Sequence, residues 1–200
     1  MIPAKSHIYS TASAFFLIAC GNTAPAAGNA AAPEDASVSL APDGWADASA
    51  QFSGTDGETK GRVLFADSPA GGLLMRVHLE NLSQGWHGIH LHQVGDCSDH
   101  GDGFQASGGH IDPEDRAHGL LNAEGPERAD LPNIYAGADG VAMAEIYNPS
   151  AALRPSEQAA GLLDDDGFAV IVHENPDDHE TQPIGGAGAR VACAAINDLP

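Results

Sequence analysis

Leu73-Leu74-Met75-Arg76-Val77-His78-Leu79-Glu80 decides the fold class. Met75, Val77 and Leu79 alternate with Arg76, His78 and Glu80, and successive side chains of an extended chain point to opposite faces. The segment is therefore a strand with one apolar and one polar face, and His78, among charged neighbours, is expected at the surface. Outward from it, 50–53 and 61–66 flank Asp56-Gly57, a hairpin-favouring pair. Further strands are expected over 86–93, 134–136, 141–147, 168–174 and 189–196, with Asp139-Gly140 marking another hairpin. Short strands between turn signals predict an all-β antiparallel sandwich or barrel. Two segments break the rhythm: 94–133, and 174–188 with its closing Gly185-Gly186-Ala187-Gly188. Loops of such length in a compact domain are usually functional. Residues 150–166 have room for a helical turn, which Pro155 and Gly161 keep short.

The 200 residues suffice for one domain and a tail. Asp plus Glu number 28 against 8 Lys plus Arg, a formal charge of −20. Nucleic-acid binding needs basic groups to neutralise phosphates, and no basic patch exists here. Residues 1–19 read as a signal peptide: Lys5 is followed by Ala12-Ser13-Ala14-Phe15-Phe16-Leu17-Ile18-Ala19, an apolar run too short to span a bilayer. Leu17-Ile18-Ala19-Cys20 resembles the bacterial lipobox, in which Cys20 would be lipid-modified; the alternative is an ordinary signal peptide with an incidental Cys. Residues 20–37 then form a lipid-bearing Cys and a small, Pro-broken tether, and 38–200 the domain. The expected location is the bacterial periplasm or cell envelope, with membrane contact only through the N-terminal anchor. Export exposes Cys97 and Cys193 to an oxidising compartment, where they can pair; the alternative is two free thiols.

Ten His against two Lys, Lys5 and Lys60, is the other outlier. His90 and His92 share one face of an extended run. His110 sits beside Gly108-Gly109, His118 follows eight residues on, and His173 ends the apolar run Ala169-Val170-Ile171-Val172. Each alone is an ordinary polar residue. Five together, three of them on or beside strands, point to a metal, and a nitrogen-rich donor set suits copper or zinc.

These residues also carry a resemblance. Gly85-Trp86-His87-Gly88-Ile89-His90-Leu91-His92 resembles the copper-binding segment of copper/zinc superoxide dismutases. Gly109-His110-Ile111-Asp112-Pro113 is similar to the bridging-His segment. His173-Glu174-Asn175-Pro176-Asp177-Asp178 is similar to the last copper ligand with its acidic pair, and the run from Gly185 to Cys193 to the closing segment. The motifs come in the family's order over about 48–196. The resemblance implies an eight-stranded antiparallel Greek-key, Ig-like β-sandwich or barrel with two long functional loops. It assigns copper to His90, His92, His110 and His173. His110 bridges to zinc, which His118 and Asp130 complete. Asp177 links ligands of the two metals, Arg190 guides and holds superoxide, and Cys97 and Cys193 form a disulfide. His87 matches a family position that is usually not a ligand and is expected to be structural; His100 and His179 lie outside the motifs, in loops, and are expected to be exposed rather than ligating.

One position departs: the family commonly has a zinc His three residues before the zinc Asp, and this chain has Glu127. Glu can bind zinc through oxygen, giving a His110/His118/Glu127/Asp130 site; otherwise Glu127 is solvated and the zinc site is weakened. The implied activity is dismutation of superoxide to dioxygen and hydrogen peroxide by Cu(II)/Cu(I) cycling, with His110 passing a proton. The acidic second loop, without lysine, predicts weak long-range steering of the anion. The rival reading is a non-enzymatic copper-binding module of the same fold, for which Arg190 would have no use. Monomer and homodimer are both compatible with the sequence.

Overall fold

The computed structural model describes residues 40–42, 44–155 and 160–199; the signal peptide, Cys20 and the tether lie outside the described residues. The strands are β1 (Ala48–Gly54), β2 (Thr59–Asp67), β3 (Leu73–Leu79), β4 (Gly85–His87), β5 (Ile89–His92), β6 (Ile134–Ala136), β7 (Ala142–Asn148), β8 (Ala151–Ala152), β9 (Ala160–Gly161), β10 (Phe168–His173) and β11 (Arg190–Ile196). Among the described residues the only helical turns are two short 3-10 segments, His100–Asp102 and Gln105–Ser107.

Seven strands form one antiparallel sheet in the order β5-β10-β11-β1-β2-β3-β7. β4 and β5 are one strand interrupted at Gly88, whose N–H donates to Asn175 O at 2.8 Å and whose carbonyl accepts from His173 N at 2.8 Å. β4 pairs with β6, and β6 turns through Asp139-Gly140 into β7. The β4–β6 ladder therefore brings the two edges of the curled sheet together. Counted this way there are eight main strands in a Greek-key barrel, since β11 lies between β10 and β1. Closure of this kind removes exposed strand edges.

The barrel is filled from the alternating positions: Phe52, Val63, Phe65, Met75, Val77 and Leu79 are buried, as are Ile89, Leu91, Val170 and Val172. A second apolar cluster lies outside the barrel wall, where Ala169 and Ile171 meet Phe104, Cys193 and Cys97. β10 is thus buried on both faces, which explains its unbroken apolar run. In register, Ile171 opposes His90 and Ala169 opposes His92. Paired residues share a face, so both imidazoles point out of the barrel and under the long loop.

Three expectations change. His78 lies on the outer face but its side chain is only 12% exposed, 3.6 Å from Glu80 and in register between Arg62 and Met143. Residues 151–152 and 160–161 form a short parallel strand pair, and the described residues of 150–166 contain no helical turn. The 86–93 strand is broken at Gly88, where the chain bonds to His173 at the end of β10 and to Asn175 in the second loop.

Candidate metal centre

The barrel wall supplies the fixed half of the site. β5 presents His90 and His92, and β10 ends in His173 opposite Arg190 at the start of β11. The long loop after β5 folds back over them, pairing His110 with His92 and Asp130 with His90 through isolated bridges. The His90 and His110 rings lie 4.3 Å apart, His90 and His173 5.0 Å, and His92 and His110 5.1 Å.

Each of these four imidazoles has one ring nitrogen tied to an acceptor. His90 Nε2 meets Asp177 Oδ2 at 2.9 Å, and His92 Nδ1 meets Gly108 O at 3.0 Å. His110 Nδ1 meets Glu127 Oε2 at 2.6 Å, and His173 Nδ1 meets Gly188 O at 3.1 Å. The other nitrogen of each, His90 Nδ1, His92 Nε2, His110 Nε2 and His173 Nε2, is buried without a hydrogen-bond partner. Buried polar atoms are normally paired, so four orphans in one cluster are informative; ligand atoms of His90, His110 and His173 lie within 4.8 Å of one another, and His92 lies beside them, its ring 5.1 Å from His110 and 6.1 Å from His173. The outer acceptors hold the outer N–H, which turns a lone pair inward on every ring. Burial pushes His92 well below the ordinary imidazole value and His173, with His90 beside it, to about 3. Burial also lowers His90, against the bond to Asp177. Burial thus favours the neutral, metal-binding form of His90, His92 and His173, and a set of imidazole nitrogens fits copper.

A second cluster adjoins the first through His110. Ligand atoms of His110, His118, Glu127 and Asp130 lie within 4.8 Å of one another. His118 Nδ1 is 2.7 Å from Asp130 Oδ1 and 3.4 Å from Glu127 Oε2. Asp130 Oδ2 is fixed by the backbone N–H groups of Gly119 and Glu127, both at 2.8 Å. Burial would lower His118, but its bonds to Asp130, Asp177 and Glu127 raise it to about 11. Likewise burial would raise Glu127, yet the bonds from His110 and His118 hold it at about 2. Two imidazoles and two carboxylates fit a tetrahedral zinc site. The Glu127 side chain is 12% exposed and faces both imidazoles, so it is not the solvated residue of the rival expectation.

Asp177 joins the clusters: Oδ2 accepts from His90 Nε2, and Oδ1 lies 3.1 Å from His118 Nε2. Burial opposes its ionisation, but the bonds to His118 and His90 hold it well below the usual carboxylate range. A Cβ on Gly185 would stand 1.6 Å from Asp177 Oδ1, so only glycine leaves room for this link. Asn133 pins the Asp177 backbone twice, accepting from its N–H and donating to its carbonyl, each at 2.8 Å.

Arg190 completes the centre. Nη1 donates to Phe104 O at 2.6 Å and to Ser107 Oγ at 3.1 Å, and Nη2 donates to Gly108 O at 2.9 Å. Three of five guanidinium N–H groups are thereby spent on positioning, and two remain. Arg190 lines a cavity of about 410 Å³ together with His92, His110, His173, Glu127 and Ile184. Cys97 and Cys193 form a disulfide with Cα atoms 5.8 Å apart, fastening the long loop to β11.

His87 is structural: its ring nitrogens meet His173 O at 2.7 Å and Ser83 O at 2.9 Å. His100 packs edge-on against Phe104. Its side chain is half-buried, as is that of His179, which lies 3.3 Å from Asp177 Oδ2. Both were expected to be exposed; the loops fold tightly enough to cover them. Asn133, Ser107, Gly185 and the carbonyls of Gly108 and Gly188 were missed. A backbone acceptor leaves no mark in a sequence, and the asparagine follows Asp130 too closely to stand out from its loop.

The fold and site define a β-barrel protein with adjoining copper-type and zinc-type centres sharing one histidine. The family model for copper/zinc superoxide dismutase matches residues 59–196. The chain therefore belongs to the copper/zinc superoxide dismutase family. It is 47% identical over 142 residues to a Caulobacter vibrioides Cu-Zn superoxide dismutase, covering 70% of this chain and 80% of that protein. It is similar in structure to a SOD-like protein from Bacillus subtilis, with TM-score 0.69, 32% identity and coverage of 74% and 96%. It also matches the Cu/Zn superoxide dismutase from Brucella abortus, with TM-score 0.60, 29% identity and coverage of 75% and 99%.

Proposed function

We propose that the protein is a superoxide dismutase whose copper is held by His90, His92, His110 and His173. Zinc is held by His110, His118, Asp130 and Glu127. The observation that supports this is the set of four buried, unpartnered ring nitrogens on His90, His92, His110 and His173, with His92, His110 and His173 lining a cavity beside Arg190. Bound there, copper supplies the one-electron Cu(II)/Cu(I) exchange by which one superoxide becomes dioxygen and another hydrogen peroxide. Arg190 binds the anion with its two remaining N–H donors and its charge. Gly108 O orients both Arg190 and His92, so the anion site and the copper ligand are fixed by one carbonyl. His110 lines the cavity, and its Nε2, when not bound to copper, would hold a proton for delivery to reduced oxygen. Asp177 orients the His90 and His118 rings by bonding the Nε2 of each.

Export to the periplasm, with removal of residues 1–19 and lipid modification at Cys20, belongs to the same reading. The apolar run before Cys20 and the Cys97–Cys193 disulfide support it, since disulfides persist in oxidising compartments. The substrate is superoxide, acted on by a monomer or homodimer. A non-enzymatic copper module would not need a guanidinium held by three acceptors beside the metal pocket. Titrating metal-free protein with copper and zinc while following superoxide loss tests the function. Activity rising in proportion to bound copper is expected; full copper occupancy without activity would leave only the copper module.

A further inference from the structure

The carboxylate of Glu127 is placed to do more than bind zinc. Its Oε2 lies 2.6 Å from His110 Nδ1, the nitrogen through which a bridging imidazole would reach the second metal. The pair is largely enclosed, the side chains being 6% and 12% exposed. Glu127 in turn sits on a backbone that Asp130 fixes by accepting its N–H at 2.8 Å. His110 is the one copper-site imidazole whose outer nitrogen depends on the second centre. His90, His92 and His173 are oriented by Asp177 and by the carbonyls of Gly108 and Gly188.

An imidazole at this second-centre position of Glu127 would offer His110 Nδ1 a neutral ring. The carboxylate offers a charged acceptor, which holds the Nδ1 hydrogen and leaves Nε2 free towards the copper pocket. We propose that Glu127 stands in for the second metal: with zinc absent, it keeps His110 in the copper-binding orientation, so the four-histidine site is complete without zinc. The proposal rests on the copper assignment above. With zinc present, His110, His118, Asp130 and Glu127 would hold it, and Glu127 would no longer be needed as the acceptor for His110.

The test uses the metal-free full domain, with copper added alone or after zinc, for wild type, Glu127→Gln and Glu127→Ala. Copper affinity is read by chelator competition and the nitrogen donor set by electron paramagnetic resonance of Cu(II). Zinc-free wild type is expected to bind one copper with four nitrogen donors. Loss of one outer acceptor typically weakens a metal site about 10–100-fold, so Glu127→Ala is expected to lose about that factor in the zinc-free state, with a changed donor spectrum. Glu127→Gln, which keeps the shape and an acceptor oxygen, is expected to fall between. Equal zinc-free copper affinity and spectra in wild type and Glu127→Ala would overturn the proposal. So would a zinc-free wild type that binds copper well only after zinc is added. Failure of wild type to bind copper with zinc present would overturn the copper assignment itself.

Discussion

Replacing Asp177 by Ala should weaken both metals at once, the second more than the first. Asp177 is buried, accepts from His90 Nε2 at 2.9 Å and lies 3.1 Å from His118 Nε2. A hydrogen bond to a charged group contributes about 1.5–3 kcal/mol, and 1.4 kcal/mol is a factor of about ten. Losing the His118 bond should therefore cost the zinc site about 10–100-fold in affinity, the range typical of outer partners of metal ligands. His118 is one of two imidazoles at that site, whereas His90 is one of four at the other. The copper loss should accordingly be smaller, about tenfold. The loop itself should hold its place, because Asn133 grips the Asp177 backbone from both sides. Competition against chelators of known affinity, for each metal separately, gives the two numbers. A variant that changes one affinity alone, or neither by more than about threefold, would refute the linking role, since even the weaker bond predicts about tenfold.

Three further outcomes follow from the same geometry. Arg190→Ala should lower the superoxide reaction rate by on the order of 10–100-fold, one or two charge-assisted bonds to the anion, while copper content stays unchanged; an unaltered rate would remove Arg190 from the mechanism. Raising ionic strength should change the wild-type rate little, because the cavity has Arg190 as its lone cationic lining residue and the second loop carries Glu174, Asp178 and Glu180; a steep fall with salt would contradict this. Replacing Cys97 and Cys193 by Ser should destabilise the domain by about 2–5 kcal/mol in denaturant unfolding, as expected for a bridge closing a long loop, here with a sequence separation of 96; unchanged stability would show that the cross-link contributes nothing beyond the packing around Phe104.

The barrel was legible because its strands write the core in period two. Met75, Val77 and Leu79 face in, and the Asp-Gly pairs at 56–57 and 139–140 mark turns that the structure contains. The break at Gly88 was not legible, since it arises from hydrogen bonds to Asn175 and His173, residues more than eighty positions away. The same limit hid the cover over His78, which its cross-strand neighbours Arg62 and Met143 flank, and over His179, which lies against Asp177. At the centre, side chains that could hold a metal stood out by type and spacing. The atoms that choose their tautomers did not: Gly108 O and Gly188 O are backbone. Glu127 was visible as a departure, but only the fold shows it sandwiched against His110 and His118 rather than turned to water.

The most direct measurement is a crystal structure of the protein loaded with copper and zinc. Copper bound by His90 Nδ1, His92 Nε2, His110 Nε2 and His173 Nε2, and zinc by His110 Nδ1, His118 Nδ1, Asp130 and Glu127, is the predicted result. Copper bound elsewhere, or a His110 that touches only one metal, would contradict the assignment on which the proposed chemistry stands.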